Sequence, residues 1–305
     1  MDKNYLAIDV GGTNLKFGLL DRSGTLLEHD KIATPTNGIV DFCRTVLEIV
    51  GRYHEHIRGV AFSVPGKIDV ENKVIYFGGS LPFLDELNIA DMIHQQYPNL
   101  LVGVENDGKA AVLAEYWLGN LQRKDNSAAI ILGTGVGGGI IVNGKPLHGS
   151  HFQAGELSFM LSAGNNLDIY GSAGSAVQMI MKINKALVNE KLTDGLAAFD
   201  AINTSNPVAL KIFDDYCANI AKLILNIQSV DDLSDYVIGG GISAQPILVD
   251  TINQKYDELV DKIEFGGVKI VKLMLTRPNI QTAKFGNEAN LYGALYNLLL
   301  QESEQ

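Results

Sequence analysis

The sequence predicts an α/β protein built from two similar halves, and three observations lead there. Apolar runs of strand length alternate with stretches of helical periodicity along the chain. The length of 305 residues suits about two domains. A strand–glycine turn–strand unit occurs twice, at Leu6–Leu20 (LAIDVGGTNLKFGLL) and again about 120 residues later at Ser127–Val142 (SAAIILGTGVGGGIIV), so each domain can hold one copy. The repeat points to two related halves facing each other across a cleft, each offering a glycine tip to one end of a polyphosphate.

In the first copy, Asp9 lies at the end of a strand over Tyr5–Val10, and a second strand covers Leu15–Leu20. Gly11 and Gly12 are expected to turn the backbone through positive φ, with Thr13 and Asn14 adding short polar side chains at the tip. Amide N–H groups with no side chain in the way suit a phosphate, and an aspartate beside a phosphate suits the accompanying Mg²⁺, held through water. An ordinary hairpin with an NG-like turn has the same local spacing, and the second copy, with Gly133, Thr134 and Gly135 at its tip, is what favours the phosphate reading.

The other elements come in order. Thr25–Ile32 is expected to add a third strand, after the turn at Asp21–Gly24. Ile39, Phe42, Val46, Ile49, Val50, Tyr53 and Ile57 recur at helical spacing over 38–57. A strand over Ile57–Ser63 leads to Val64-Pro65-Gly66, a hairpin over Lys67–Tyr76 and a loop over Phe77–Pro82. A helix over Asn88–Tyr97, a strand over Leu100–Val104 and a helix over Lys109–Trp117 come next, and Glu105-Asn106-Asp107-Gly108 joins the last two. Ser150–Ser175, rich in Gly, Ser and Asn, reads as a loop region forming one wall of a substrate site. Helices over Ala176–Glu190 and Pro207–Val230, a strand over Tyr236–Ile238 ending in Gly239-Gly240-Gly241, a helix over Pro246–Ile263, a strand over Lys269–Leu275 and a helix over Asn287–Leu300 complete the chain. The expected division is a small N-terminal α/β lobe over 1–107, completed by the C-terminal helix 287–305, and a larger α/β lobe over 108–286.

Composition bounds the function. The net charge of −11 argues against nucleic acid or an anionic membrane as partner, while leaving room for one anion held by backbone amides. No signal peptide is visible at the N-terminus, and the most apolar stretch, Ala128–Val142, is broken by five glycines. Cys43 and Cys217, far apart in helical stretches, read as buried thiols of a reduced cytosol, so a cytoplasmic location is expected.

Asp107 follows a strand and opens a helix, at the carboxyl edge of an α/β sheet where ligands bind. A helix N-cap is the alternative for it, and the neighbouring Asn106 weakens that alternative because one cap is enough. An Asn-Asp pair can also hold the hydroxyls of a sugar. As a general base at a helix N-terminus Asp107 would be weak, which a loose phosphoryl-transfer transition state tolerates. Glu156 and Asp168 are further carboxylates, each equally readable as an exposed loop residue. His148 and His151 lack the further ligands that a zinc site needs. Gly239-Gly240-Gly241 would let a flat nucleoside approach closely, or be only a turn.

The ordered run IDVGGTN, VPG, ENDGKAA, LGTGVGGGI, AGEL and VIGGGIS resembles the ROK family of sugar kinases and sugar-responsive repressors, over Leu6 to about Leu295. The resemblance implies the duplicated actin/hexokinase-like (ribonuclease H-like) ATPase fold with a central cleft, and ATP-dependent phosphorylation of a hexose or hexose derivative at the C6 hydroxyl. It implies a first phosphate loop of Asp9, Gly11, Gly12 and Thr13, with Asp9 near Mg²⁺, and a second of Gly133, Thr134 and Gly135. It places Gly240 and Gly241 against the adenosine of ATP, Asn106 on a sugar hydroxyl, Asp107 as catalytic base, and Gly66 and Glu156 in the sugar pocket. A homodimer is the expected assembly, with a small-molecule sugar as partner. Domain closure would exclude water, which is a smaller nucleophile than the sugar.

The chain also departs from the family pattern. Phe159 stands where many members have a histidine, and Leu161–Asp168 contains none of the cysteines that bind structural zinc, so no zinc site is expected. Leu167-Asp168-Ile169-Tyr170 resembles the family segment just after those cysteines, with Asp168 in place of the family's sugar-binding glutamate. These changes imply a roomier pocket on the C1/C2 side, suited to a modified or glycosidic sugar. Asn14 stands where a basic residue is common in the family. The alternatives are a β-glucoside or N-acetylmannosamine kinase rather than a glucokinase, or a sugar-binding regulator. A regulator needs a helix-turn-helix ahead of the first strand, where four residues precede Tyr5. A nicotinamide-dependent oxidoreductase is disfavoured, because Gly133–Gly138 matches GxGxxG but leads into a strand where a helix is required.

Overall fold

The computed structural model describes residues 3–162 and 168–303. The chain forms two compact units of similar length, one made of Met1–Gln122, Pro146–Gly155 and Asn287–Gln305, the other of Arg123–Lys145 and Glu156–Gly286.

The first unit opens with an antiparallel meander of β1 (Asn4–Val10), β2 (Asn14–Leu20) and β3 (Leu26–Ala33). Helix α1 (Ile39–Tyr53) buries the apolar stripe Phe42, Val46, Ile49 and Val50, as its periodicity requires. Strand β4 (Ile57–Val64) then pairs parallel to β1. A small sheet of β5 (Lys67–Asp69), β6 (Val74–Tyr76) and β7 (Leu87–Asn88) precedes α2 (Ile89–His94). Strand β8 (Leu101–Asn106) pairs parallel to β4 and leads into α3 (Asp107–Leu118). The sheet order is β3-β2-β1-β4-β8. Even-numbered residues of β1 and β4 (Leu6, Ile8, Val10, Val60, Phe62) join Phe42 and Val46 in one core, and odd-numbered ones (Tyr5, Ala7, Ala61) join Leu291, Leu295 and Leu298 in another. A strand buried on both faces reads as a continuous apolar run, and β1 does so over Tyr5–Ile8 before Asp9 interrupts it.

The second unit repeats the plan. Strands β9 (Ser127–Leu132) and β10 (Val136–Val142) form the second hairpin, followed by β11 (Lys145–Pro146). The helices are α4 (Tyr170–Ala173), α5 (Ala176–Ala186), α6 (Gly195–Asn203) and α7 (Pro207–Asp231). Strand β12 (Asp235–Gly239), α8 (Pro246–Lys262), α9 (Ile270–Met274) and β13 (Asn279–Thr282) complete it. The sheet order is β11-β10-β9-β12-β13, with β9 antiparallel to β10 and parallel to β12, and β12 parallel to β13. Both sheets thus set an antiparallel hairpin beside two parallel strands, which is the duplication expected from the two glycine motifs. The last helix, α10 (Ala289–Ser303), belongs to the first unit.

Three expectations need correction. Lys269–Leu275 is not a strand: its β-branched run suggests one, but the sheet edge beside β12 is taken by β13, and 270–274 forms a short helix with Leu273 and Met274 exposed. Strand β13 and helix α6 were not expected; β13 is too short and polar to show in a periodicity. The division of the chain does not fall at Asp107. Helix α3 stays in the first unit because it packs on α10, where Gly293 lies so close to Ala110 that a Cβ would overlap the Ala110 carbonyl oxygen, and Trp117 stacks on Tyr296 with ring centroids 5.2 Å apart.

Candidate active site

In the first unit the candidate residues gather at the carboxyl ends of the parallel strands. Asp9, Ser63 and Glu105 are register partners on β1, β4 and β8, so they lie in one row on the face of the sheet shared with Tyr5, Ala7 and Ala61. Asp9 is buried, and its two oxygens accept from Asn290 Nδ2 at 3.0 Å and from Lys16 Nζ at 3.3 Å. Lys16 also donates to the Asn287 carbonyl at 2.9 Å. One carboxylate beside the glycine tip is the hard oxygen donor that Mg²⁺ takes together with waters and phosphate oxygens, so the donor set fits the expected ion.

The tip itself is held from beneath. The Gly11 amide donates to Asn14 O at 3.0 Å, the Thr34 hydroxyl donates to Gly11 O at 2.6 Å, and the Thr34 amide donates to Thr13 O at 3.0 Å. Gly12 and Thr13 are exposed. Neither Gly11 nor Gly12 has positive φ, contrary to the sequence-based expectation. Gly11 is needed for room instead, since a Cβ there would stand 2.8 Å from the Asn14 carbonyl oxygen, whereas at Gly12 one would stand 2.9 Å from Ser80 Oγ, a hydroxyl that can rotate aside.

Asn106, not Asp107, caps α3. Its Oδ1 accepts from the Lys109 amide at 3.1 Å, satisfying a free N–H of the first turn, and its Nδ2 donates to Gly66 O at 2.9 Å. Gly66 has φ of +99°, and a Cβ there would overlap the Phe77 carbonyl oxygen. Asp107 is the first helical residue and is exposed, with Oδ1 accepting from the Gly108 amide at 2.8 Å. The structure thus brings Gly66, Asn106 and Asp107 together, and it assigns the capping alternative to the neighbour of Asp107.

In the second unit the tip Gly133–Gly135 is closed by the Gly133 amide donating to Gly135 O at 3.0 Å. The Ala176 amide, in the first turn of α5, donates to Gly133 O at 3.0 Å. Thr134 is exposed. Gly240 has φ of +98° and lies against Leu132, where any Cβ would overlap the carbonyl oxygen, while Gly241 faces open space. Ser158 ties the tip to the turn that follows Glu156: its Oγ accepts from the Val136 amide at 3.0 Å and donates to Val136 O at 3.1 Å. Asp168 is exposed, and its carbonyl accepts from the Ser162 amide at 2.8 Å. Residues 163–167 of the cysteine-free stretch, including Leu167, lie outside the described residues.

Several partners were missed in the sequence. Lys16 carried a signal, because a hairpin centred on Gly12-Thr13 places Lys16 opposite Asp9. Asn290, Glu105 and His148 carried none: His148 Nε2 reaches Glu105 Oε2 at 2.7 Å across 43 residues of chain. His148 is therefore a carboxylate partner, and among the described residues no cluster of three or more His, Cys, Asp or Glu is arranged to hold a metal ion. Burial pushes the thiols of Cys43 and Cys217 up, so neither is a ready nucleophile. No helix among the described residues is long and apolar enough to cross a membrane.

A beta-glucoside kinase of Listeria monocytogenes is 27% identical, over 97% of this chain and 98% of that protein. A glucokinase of Halalkalibacterium halodurans is also 27% identical, over 99% and 97%. Among solved structures, a ROK family protein of Streptococcus pneumoniae in complex with sucrose superposes with a TM-score of 0.87 at 26% identity, over 99% of this chain and 100% of that one. The family model of the ROK family matches residues 5–301, nearly the whole chain, and the chain belongs to the ROK family.

Proposed function

We propose that this protein transfers the terminal phosphoryl group of ATP to the C6 hydroxyl of a hexose or hexose derivative, with Asp107 as general base. The observation that carries the reading is the division between two adjacent residues: Asn106 takes the cap of α3, and Asp107 is exposed where the strand meets the helix. Asp107 orients the acceptor hydroxyl and takes its proton late, as a loose transition state requires. Gly66, Asn106, Glu156 and Asp168 bind the sugar. Gly11, Gly12 and Thr13, and Gly133, Thr134 and Gly135, offer backbone amides to phosphate oxygens, and Gly240 and Gly241 leave room for the adenosine. Asp9 would hold Mg²⁺ through water, and the bound ion would supply charge neutralisation at the phosphates.

The relatives support the sugar class, being a beta-glucoside kinase, a glucokinase and a protein crystallised with sucrose. One observation favours a glycoside over free glucose as acceptor. Phe159 is 69% exposed beside the turn that carries Glu156, so it offers a ring on which a second sugar or an aglycone can stack. Coupled ADP release over glucose, mannose, N-acetylmannosamine and β-glucosides tests this choice. A higher kcat/KM for glucose than for every β-glucoside refutes the glycoside preference. In the same assay Asp107→Asn is expected to lose roughly 10²-fold or more in kcat with sugar affinity kept, as for loss of a general base. Unchanged turnover removes Asp107 from the mechanism.

A further inference from the structure

We propose that the buried pair of Glu105 and His148 is a positioning device that holds the Asn106-Asp107 dipeptide in place; it rests on the reading of Asp107 as the base. Glu105 is fully buried, on an edge strand whose neighbouring residues Val102 and Val104 are apolar. A carboxylate there is costly unless its oxygens are partnered, and an apolar side chain would fill the space without that cost. Both oxygens are partnered, and to different ends. Oε1 accepts from the Asn106 amide at 2.8 Å, and Oε2 accepts from His148 Nε2 at 2.7 Å. The pair therefore fixes the backbone of the residue that caps α3, contacts Gly66 and immediately precedes Asp107.

His148 is itself held firmly. It belongs to the segment Pro146–Gly155, which the chain contributes to the first unit from between two stretches of the second. Within that segment the Ala154 amide donates to His148 O at 3.1 Å and the Phe152 amide donates to Gly149 O at 3.3 Å. Phe152 has φ of +59°, a conformation bulky residues adopt only where the surroundings impose it, and its ring packs against the core of the unit. Its carbonyl accepts from Lys109 Nζ, on the first turn of α3, at 3.5 Å. The segment thus grips the strand end and the helix start on either side of Asp107.

A positioning role makes a specific kinetic demand. Loosening the Asn106 amide moves the base relative to its proton, which lowers kcat, while the groups that bind the sugar are still present. The full-length protein carrying His148→Leu is expected to lose about tenfold or more in kcat, with sugar KM within about twofold of wild type. His148→Gln, whose amide can reach the same carboxylate oxygen, is expected to recover most of the loss. His148→Asn, whose amide stops short of it, is expected to behave like the leucine variant. Wild-type kcat in His148→Leu, a loss carried wholly by sugar KM, or equal kcat in the Gln and Asn variants overturns the proposal, and this last comparison decides the matter if the leucine variant does not fold. Asp107→Asn is assayed alongside. A loss there with wild-type kcat in His148→Leu overturns the positioning role alone, whereas full turnover in Asp107→Asn overturns the base assignment and this inference with it.

Discussion

Gly66 and Gly240 occupy corresponding roles in the two units, each at a turn after a parallel strand and each at φ near +100°. At both, a Cβ would overlap a carbonyl oxygen, of Phe77 and of Leu132 respectively. The neighbour is backbone in each case, so it cannot swing aside as a flexible side chain would. Gly66→Ala and Gly240→Ala are each expected to destabilise the protein by ~1–3 kcal/mol, from left-handed strain plus displacement of the partner strand or loop. Urea unfolding checks this, and an unchanged midpoint would refute it. Kinetics separate the two sites: Gly66→Ala is expected to raise sugar KM and Gly240→Ala to raise ATP KM.

At the scale of elements, strands stay in register because their ends are tied. Asp235, almost fully buried, opens β12; it accepts from Asn279 Nδ2 at 3.0 Å on β13 and pairs with Lys124 Nζ at 3.3 Å. Burial pushes its carboxyl up, but hydrogen bonds from Asn279, Ser234 and Lys124 and the Lys124 charge outweigh this and hold it below its ordinary value. The folded value therefore lies below the unfolded one. The resulting stability is fully present above about pH 4 and is lost as the pH falls through the folded value. Asp235→Asn is expected to lower the urea midpoint at neutral pH and to flatten its fall between about pH 5 and pH 3. A variant whose midpoint falls as steeply as wild type would show that Asp235 contributes nothing to acid sensitivity.

Across the whole molecule, each unit carries its own five-stranded sheet with the same strand order and its own glycine hairpin. Sugar and nucleotide are proposed ligands of the folded protein alone, so each should stabilise the fold by mass action. A non-hydrolysable ATP analogue at about 100 times its Kd is expected to add roughly 2.7 kcal/mol, and the sugar at its own matching excess a similar amount. Asp107→Asn is expected to keep the sugar-induced rise in denaturation midpoint, because the base acts on the proton and not on ground-state binding. Loss of that rise would make Asp107 chiefly a sugar ligand.

Much of this was legible from the chain alone. The α/β class, the duplication and the placing of Asp107 where a strand meets a helix come from periodicity and from glycine spacing, which are local properties. Even the pairing of Lys16 with Asp9 was implicit in hairpin register. Tertiary structure alone decided the rest. It set the 270–274 segment as a helix, because a strand exists only where a neighbour has a free edge. It kept α3 with α10, through the close approach of Gly293 to Ala110. It divided cap from carboxylate between Asn106 and Asp107, and it brought His148 to Glu105 and Asn290 to Asp9 from far along the chain. Residue types and short spacings specify local conformation, whereas which buried polar group satisfies which is settled only when distant segments share one low-dielectric interior.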